Sequence, residues 1–130
     1  MIEIILLPLI SARVGTEVKF MNSITLLQNF ELDKMSASVE PKKLNEIFNG
    51  AMRRIIEVKL YNNNSLSKHK TKEPITVFCL SGKGIFRAGK DLEDEQDLQA
   101  GTLITLEAEV EHEVSAEPEL HLLVTKFKAE

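Results

Sequence analysis

The chain has very little cysteine and no long apolar run. Cys79 is the one cysteine in 130 residues, so an internal disulfide cannot form and a zinc site built from several cysteines is excluded. The apolar run at residues 4–10 is far shorter than the ~20 residues that a membrane helix needs. These absences predict a protein of the reducing cytoplasm with no membrane partner.

Clustered positive charge is also missing. The basic residues are scattered, with Arg53 and Arg54 as the only arginine pair, and the net charge is −4. Binding to phosphate backbones depends on clustered lysine and arginine side chains. We therefore expect no nucleic-acid partner.

Residues 2–10, IEIILLPLI, are apolar on both faces of an extended segment. One interpretation is an edge strand that needs a partner surface, which predicts a homodimer with residues 2–10 at or across the interface, or exchanged between subunits. A secretory signal is an alternative, although its usual N-terminal positive charge is missing. A further alternative is that Met21 is the effective start and the domain is complete without this segment.

The rest of the chain shows the alternation of apolar and polar residues that is typical of β-strands. In residues 52–62 the apolar Ile56, Val58 and Leu60 alternate with Glu57, Lys59 and Tyr61, which predicts a half-buried strand. About six or seven strands follow residue 50, joined by short glycine turns, a spacing typical of sandwiches and barrels. We predict an all-β fold with a single domain, in which residues 50–128 form a barrel and residues 1–49 supply a strand and a connecting segment packed on it.

Several local expectations can be compared with the structure. Residues 24–32 fit a short strand or a turn of helix, and helical turns are expected only before residue 52. The SGKG sequence at 81–84 predicts a hairpin turn, and the acidic segment 91–97 predicts a solvated loop. Residues 102–110 predict a strand with its glutamates on the solvent face. His121, between two leucines, is expected on a strand surface.

Two sequence blocks stand out by their spacing. Gly101 is followed eleven residues later by His112, and the sequence HKTKEPITVFCLSGKG occupies residues 69–84. With these blocks, residues 50–127 resemble the cupin family, small β-barrels of the jelly-roll type. In the second block Gly101 and His112 match the family's glycine and metal-binding histidine. The family's proline and second glycine are replaced by Glu107 and Glu109.

The first block matches the family in part. His69 occupies the position of the first histidine, and Gly82 that of the closing glycine. The second histidine position is Thr71, and the glutamate position is Ile75, or Thr76 if the longer family gap applies. The resemblance thus implies a cupin barrel in which two of the usual metal ligands of this block are replaced.

The resemblance also implies a pocket in the barrel mouth. His69 and His112 would approach each other there from facing strands, with the pocket lined by Thr71, Ile75, Val77 and Cys79. A divalent transition metal on the two histidines is implied as a weakly held ion, with zinc, iron, manganese and nickel not distinguished. Glu73 and Cys79 are the nearby residues that offer a third donor, although Cys79 equally fits a small buried hydrophobic residue.

Three functions are compatible with this pattern. The first, favoured by the incomplete ligand set, is a barrel that binds a small molecule without strong catalytic equipment. The second is a metal-dependent enzyme of the dioxygenase, isomerase or lyase type, the activities that the resemblance implies when the ligand set is complete. The third is a structural dimer module with a vestigial pocket. The fold alone supplies no substrate.

Overall fold

The computed structural model describes residues 5–6, 17–30 and 41–128. Within those ranges every regular secondary-structure element is a β-strand, in agreement with the all-β prediction. The chain divides into two compact units, Met1–Lys34 and Met35–Glu130. Most of residues 2–10, on which the predicted dimer contact depends, lie outside the described residues.

The first unit contains a three-stranded antiparallel sheet. Its strands are β1 (Ile5–Leu6), β2 (Glu17–Phe20) and β3 (Thr25–Gln28), in the order β1-β2-β3. The strand β3 decides between the two alternatives for residues 24–32 in favour of a strand. The described residues before residue 52 therefore contain strands where helical turns were expected.

The second unit is built from one seven-stranded antiparallel sheet. Its order is β4-β5-β10-β7-β8, with β6 paired to β10 and β9 paired to β7. The bounds are β4 Lys42–Asn49, β5 Arg53–Leu60, β6 Ser65–His69, β7 Ile75–Ala88, β8 Asp94–Leu98, β9 Leu103–Leu106 and β10 His112–Phe127. Residues 42–49, which the sequence analysis grouped with the N-terminal segment, thus form a strand that pairs with β5.

The two long strands, β7 and β10, bend together and fold the sheet over. Their register is interrupted between Ala116 and Leu120. Before the interruption β10 pairs with β6, and after it with β5. In the same way β7 pairs with β9 through its first residues and with β8 through its last. Because each long strand belongs to both halves, the sheet forms two facing layers with the core between them.

Two glycines make this bend sterically feasible. A Cβ atom on Gly82 would lie 2.2 Å from the carbonyl oxygen of Glu119, and one on Gly84 would lie 2.2 Å from that of Ser115. Gly82 also has a φ of +91°, which side chains disfavour. The prediction of a hairpin turn at residues 81–84 is therefore wrong. Closely spaced glycines here bend one continuous strand against its neighbour, instead of reversing the chain.

The core is apolar and draws on both layers. One layer contributes Phe86, Ala88, Leu98, Val114 and Ala116, and the other contributes Val58, Leu60, Ile75, Val77, Cys79, Leu120 and Leu122. Burial of such side chains stabilises a fold by roughly 1.5–3 kcal/mol each. Among the described residues no helix is long and apolar enough to cross a bilayer.

The acidic segments differ from the prediction. Residues 94–98 form the edge strand β8 and not a loop, with every residue but Leu98 exposed. The strand expected over residues 102–110 ends at Leu106, so that Glu107 and Glu109 lie in the connection to β10. The acidic side chains of β8 remain exposed, and charged residues on an edge strand discourage pairing with other chains.

The polar face of β5 is buried, contrary to expectation. Glu57 is 2% exposed, Lys59 9% and Tyr61 3%. The strand lies between β4 and β10, and its polar side chains face those of both neighbours. Alternation identifies the polar face correctly but does not report whether that face is covered.

Candidate ligand pocket

A pocket opens into the barrel between the two layers. Its cavity volume is about 90 Å³. Ten of its lining residues are apolar: Leu44, Ile56, Val58, Leu66, Ile75, Val77, Phe86, Val114, Leu122 and Val124. The other four are His69, Thr71, His112 and Lys126. An apolar cavity with a few convergent polar groups is the usual form of a small-molecule site.

His69 and His112 lie side by side at the mouth of this pocket. They are directly opposite each other in the antiparallel pairing of β6 with β10. Their ring centroids are 4.3 Å apart. The sequence predicts them on facing strands, but they occupy adjacent strands of the same layer. Neighbouring strands lie close enough for two imidazoles to contact each other directly.

Both imidazoles are fixed by backbone carbonyl groups. The Nδ1 atom of His69 lies 2.7 Å from the carbonyl oxygen of Ser67, and that of His112 lies 2.9 Å from the carbonyl oxygen of Val110. A carbonyl oxygen only accepts hydrogen bonds, so each Nδ1 carries the hydrogen. In the neutral ring the lone pair is then on Nε2, where it is available to a ligand.

His112 is the more buried of the two histidines. It is 3% exposed, and its ring stacks on that of Phe86 with the centroids 5.7 Å apart and an interplanar angle of 9°. Burial lowers its pKa from the ordinary value of 6.5, and the charges of His69 and Lys126 lower it further, while the hydrogen bond to Val110 acts in the opposite direction. His112 is therefore neutral at pH 7.

The pocket contains a lysine that the sequence analysis missed. Lys126 is fourteen residues from His112 on the same strand, yet both line the pocket because β10 bends between them. A sequence signal was present. Leu120, Leu122 and Val124 alternate as inward-facing residues, and Lys126 continues their parity.

The other predicted pocket residues divide into two groups. Thr71, Ile75 and Val77 line the pocket, and the Thr71 hydroxyl donates a hydrogen bond to the carbonyl oxygen of Glu73 at 2.8 Å. Cys79 does not belong to the lining. It is fully buried in the core further along β7, where its thiol donates to the carbonyl oxygen of Ser81, and burial raises its pKa.

The donor set does not fit a tightly held metal ion. No cluster of three or more histidine, cysteine or acidic residues with the geometry to hold a metal occurs in the described ranges. The two proposed third donors, Glu73 and Cys79, are not part of the pocket lining, and the raised pKa keeps the Cys79 thiol protonated. The nearby charge of Lys126 also opposes a cation.

The third histidine lies elsewhere. His121 is fully buried, and its Nε2 atom lies 2.6 Å from Oε2 of Glu57. The expectation of a strand-surface residue is therefore wrong. His121 is on the face of β10 opposite to the pocket, directly across from Lys59 on β5. A carboxylate on the neighbouring strand provides a polar partner for the buried Nε2 atom.

The rim of the pocket carries neutralised charges. Lys68 pairs with Glu111 at 3.5 Å, Lys70 with Glu109 at 3.6 Å, and Arg87 with Glu113 at 3.6 Å. The glutamates around His112 are therefore matched by basic residues. Such exposed pairs stabilise the fold little, and they leave the rim without a strong field of one sign.

Comparison with solved structures identifies the fold. A cupin superfamily protein from Desulfitobacterium hafniense has a TM-score of 0.66 and 12% identity, over 73% of this chain and 84% of its own. An RmlC-like cupin protein from Desulfovibrio desulfuricans has a TM-score of 0.64 and 16% identity, over 75% of this chain and 92% of its own. An RmlC-like cupin with a double-stranded β-helix fold from Methanocaldococcus jannaschii has a TM-score of 0.60 and 12% identity, over 72% of this chain and 86% of its own.

No family sequence model and no curated protein sequence matches the chain. The structural matches, at these identities, show the fold alone. The chain is an all-β protein with the cupin fold, a jelly-roll β-barrel. The cupin resemblance of the two sequence blocks is thus confirmed at the level of fold.

Proposed function

We propose that this protein binds a small molecule in the pocket between the two layers of the barrel. One observation carries the proposal: four polar side chains converge on a cavity that is otherwise apolar. A core that serves packing alone needs no such groups, because an apolar side chain fills a cavity without the desolvation cost of a polar one. Among residues 5–6, 17–30 and 41–128 no third donor completes a metal site with His69 and His112, which favours binding over metal-dependent catalysis.

The first experiment tests whether the pocket is the binding site. A fragment library is screened by ligand-observed NMR against the wild type and against Val124→Phe, which fills the cavity from its wall. Leu103→Phe is the matched control, because it adds an aromatic ring at a position that is 61% exposed and outside the lining. We expect hits that Val124→Phe removes and Leu103→Phe retains. Hits that both variants retain would refute the proposed site.

A weakly held divalent metal is a second candidate. The observation in its favour is that both Nδ1 atoms face carbonyl oxygens, which leaves two Nε2 lone pairs at the mouth. The metal-dependent enzyme of dioxygenase, isomerase or lyase type depends on such an ion. Metal analysis of protein purified without chelator, with His112→Leu as control, tests it. Stoichiometric metal in the wild type and none in the variant would favour this candidate.

We further propose that the protein works in the reducing cytoplasm as a homodimer. The buried thiol of Cys79 supports the compartment, because a disulfide is not part of the fold. The two-sided apolar character of residues 2–10 supports the dimer. Deleting residues 1–20 and measuring the mass by light scattering tests the assembly. A truncated protein that stays dimeric would show that this segment does not hold the dimer together.

A further inference from the structure

Lys126 differs from the three paired cations of the rim. Lys68, Lys70 and Arg87 on the rim each pair with a glutamate. Lys126 instead lines the pocket itself, and in the ranges that the structure describes its ammonium group has neither an ion pair nor a hydrogen bond. Lys126 is only half-buried, so its ammonium group is available to an anion that enters the pocket.

The remaining polar groups of the pocket do not supply this anion. None of the described lining residues is acidic. The Thr71 hydroxyl hydrogen is already donated to the carbonyl oxygen of Glu73, and both histidines are committed at Nδ1. The pocket is therefore the site of an unmatched positive charge in a chain whose net charge is −4. Such a site attracts anions while the rest of the surface repels them.

The position of Lys126 also fits a ligand that spans the mouth. Lys126 and His112 line the same pocket from the two halves of the bent strand β10. An anionic group is favoured at Lys126 itself, because the Nε2 lone pairs of the two imidazoles only accept hydrogen bonds. The apolar wall formed by Val77, Val114 and Leu122 continues from there into the barrel.

We propose that the ligand of this pocket is a compact monocarboxylic acid, bound as its anion. The carboxylate pairs with the Lys126 ammonium at the mouth, and the hydrocarbon part lies among Val77, Val114 and Leu122. This inference rests on the proposed binding function and specifies its ligand class.

The cavity discriminates between kinds of anion. One lysine neutralises one negative charge, so a phosphate dianion or a dicarboxylate would leave excess charge in an apolar cavity, which is unfavourable. A volume of about 90 Å³ favours a short or compact hydrocarbon part. The apolar lining favours an alkyl or aryl group over a sugar, whose hydroxyl groups would find few partners.

The test compares acids with their uncharged analogues. Binding of butyrate and of benzoate is measured by calorimetry at pH 7.5, and butyramide and benzamide have nearly the same shape without the charge. We expect the acids to bind and the amides to bind at least about tenfold more weakly, since a charge-assisted contact of this kind changes affinity by about 10- to 100-fold. The substitution Lys126→Met should weaken the binding of the acids by the same factor and leave the binding of the amides unchanged.

Two further variants complete the design. Lys70→Met is the matched control, because it removes the same charge from an exposed rim position, and it should change acid affinity by no more than about twofold. Lys126→Arg keeps the charge and should retain acid binding. If Lys126→Met does not fold, as judged by circular dichroism, Lys126→Gln replaces it.

Each contrary result points to a different failure. Amides that bind as tightly as acids, or acids that bind Lys126→Met unchanged, would overturn the carboxylate inference and leave a small-molecule pocket. The same holds if neither acid binds while other fragments bind and are removed by Val124→Phe. If no fragment binds at all, the proposed function fails together with the inference.

Discussion

His112 and His121 lie on one strand and are equally buried, but their surroundings differ. His112 is 3% exposed and faces a cavity, with an aromatic ring, a second imidazole and a lysine around it. His121 is fully buried on the opposite face and contacts the Glu57 carboxylate. The first arrangement leaves a nitrogen lone pair for a ligand. The second commits Nε2 to the protein itself and therefore serves the fold. Burial alone does not distinguish a binding histidine from a structural one, whereas the surroundings of the ring do, since His112 lines a cavity and His121 does not.

The largest expected effect is on the structural side of this comparison. Glu57→Ala removes the partner of the buried His121 Nε2 and should reduce the free energy of unfolding by about 2–4 kcal/mol. Urea unfolding measures the change. Glu46→Ala, which removes an exposed carboxylate paired with Arg54, is the control and should cost about 0–1 kcal/mol. A change at Glu57 no larger than the control would contradict a structural role for this pair.

The second prediction concerns the pocket histidine. His112→Leu keeps the apolar bulk beside Phe86 and removes one hydrogen bond, to a carbonyl oxygen of the half-buried Val110. We expect the free energy of unfolding to change by about 1 kcal/mol or less, because a water molecule can donate to the Val110 carbonyl oxygen in place of the imidazole. Binding at the pocket should nevertheless weaken, because the substitution changes the shape of the lining at His112. Calorimetry and urea unfolding on the same sample check both parts. A loss of several kcal/mol would place His112 with His121 as a structural residue.

The fold and part of the lining of the candidate pocket could be predicted from the sequence, for physical reasons. Strand alternation and the two glycine–histidine blocks report local periodicity and spacing, and the fold depends on these. His69, Thr71, Ile75, Val77 and His112 followed from the same blocks. The burial of His121 could not be predicted in this way, because its partner is Glu57, 64 residues away in the sequence. No local pattern reports a contact across such a separation.

Lys126 and the bend of the sheet illustrate the other limit. The glycines at 81–84 predict a change of direction, but the sequence does not state whether the chain reverses or one strand bends. The structure shows a bend, and the bend is what brings Lys126 to the same mouth as His112. The alternation that points Lys126 inward was readable, but its place in the site follows from the tertiary arrangement.

The third prediction is a pH dependence that belongs to His112. Its folded-state pKa lies below the ordinary 6.5, so the unfolded chain binds this proton more readily than the folded one. Its contribution to stability is therefore fully present above pH 6.5 and is lost as the pH falls through the lowered folded-state pKa. The contribution of His112 is isolated by comparing the urea midpoints of the wild type and His112→Leu from pH 7.5 to pH 5. The other titratable groups are present in both proteins. The wild type should lose stability relative to the variant. A constant difference would contradict the prediction.

The smallest expected effect separates function from stability at Lys126. An ammonium group without a described partner at an apolar wall contributes little to folding, so Lys126→Met should leave the free energy of unfolding unchanged or raise it by up to about 1 kcal/mol. Thermal unfolding without ligand measures this. Lys128→Met is a useful contrast, because the Lys128 ammonium donates to Oδ1 of Asn49 and to the carbonyl oxygen of Gly50, and its loss should be mildly destabilising. If Lys126→Met is the more destabilising of the two, Lys126 contributes to folding in the absence of ligand. The opposite order is the pattern of a residue that serves binding more than folding, as proposed for His112 and unlike His121.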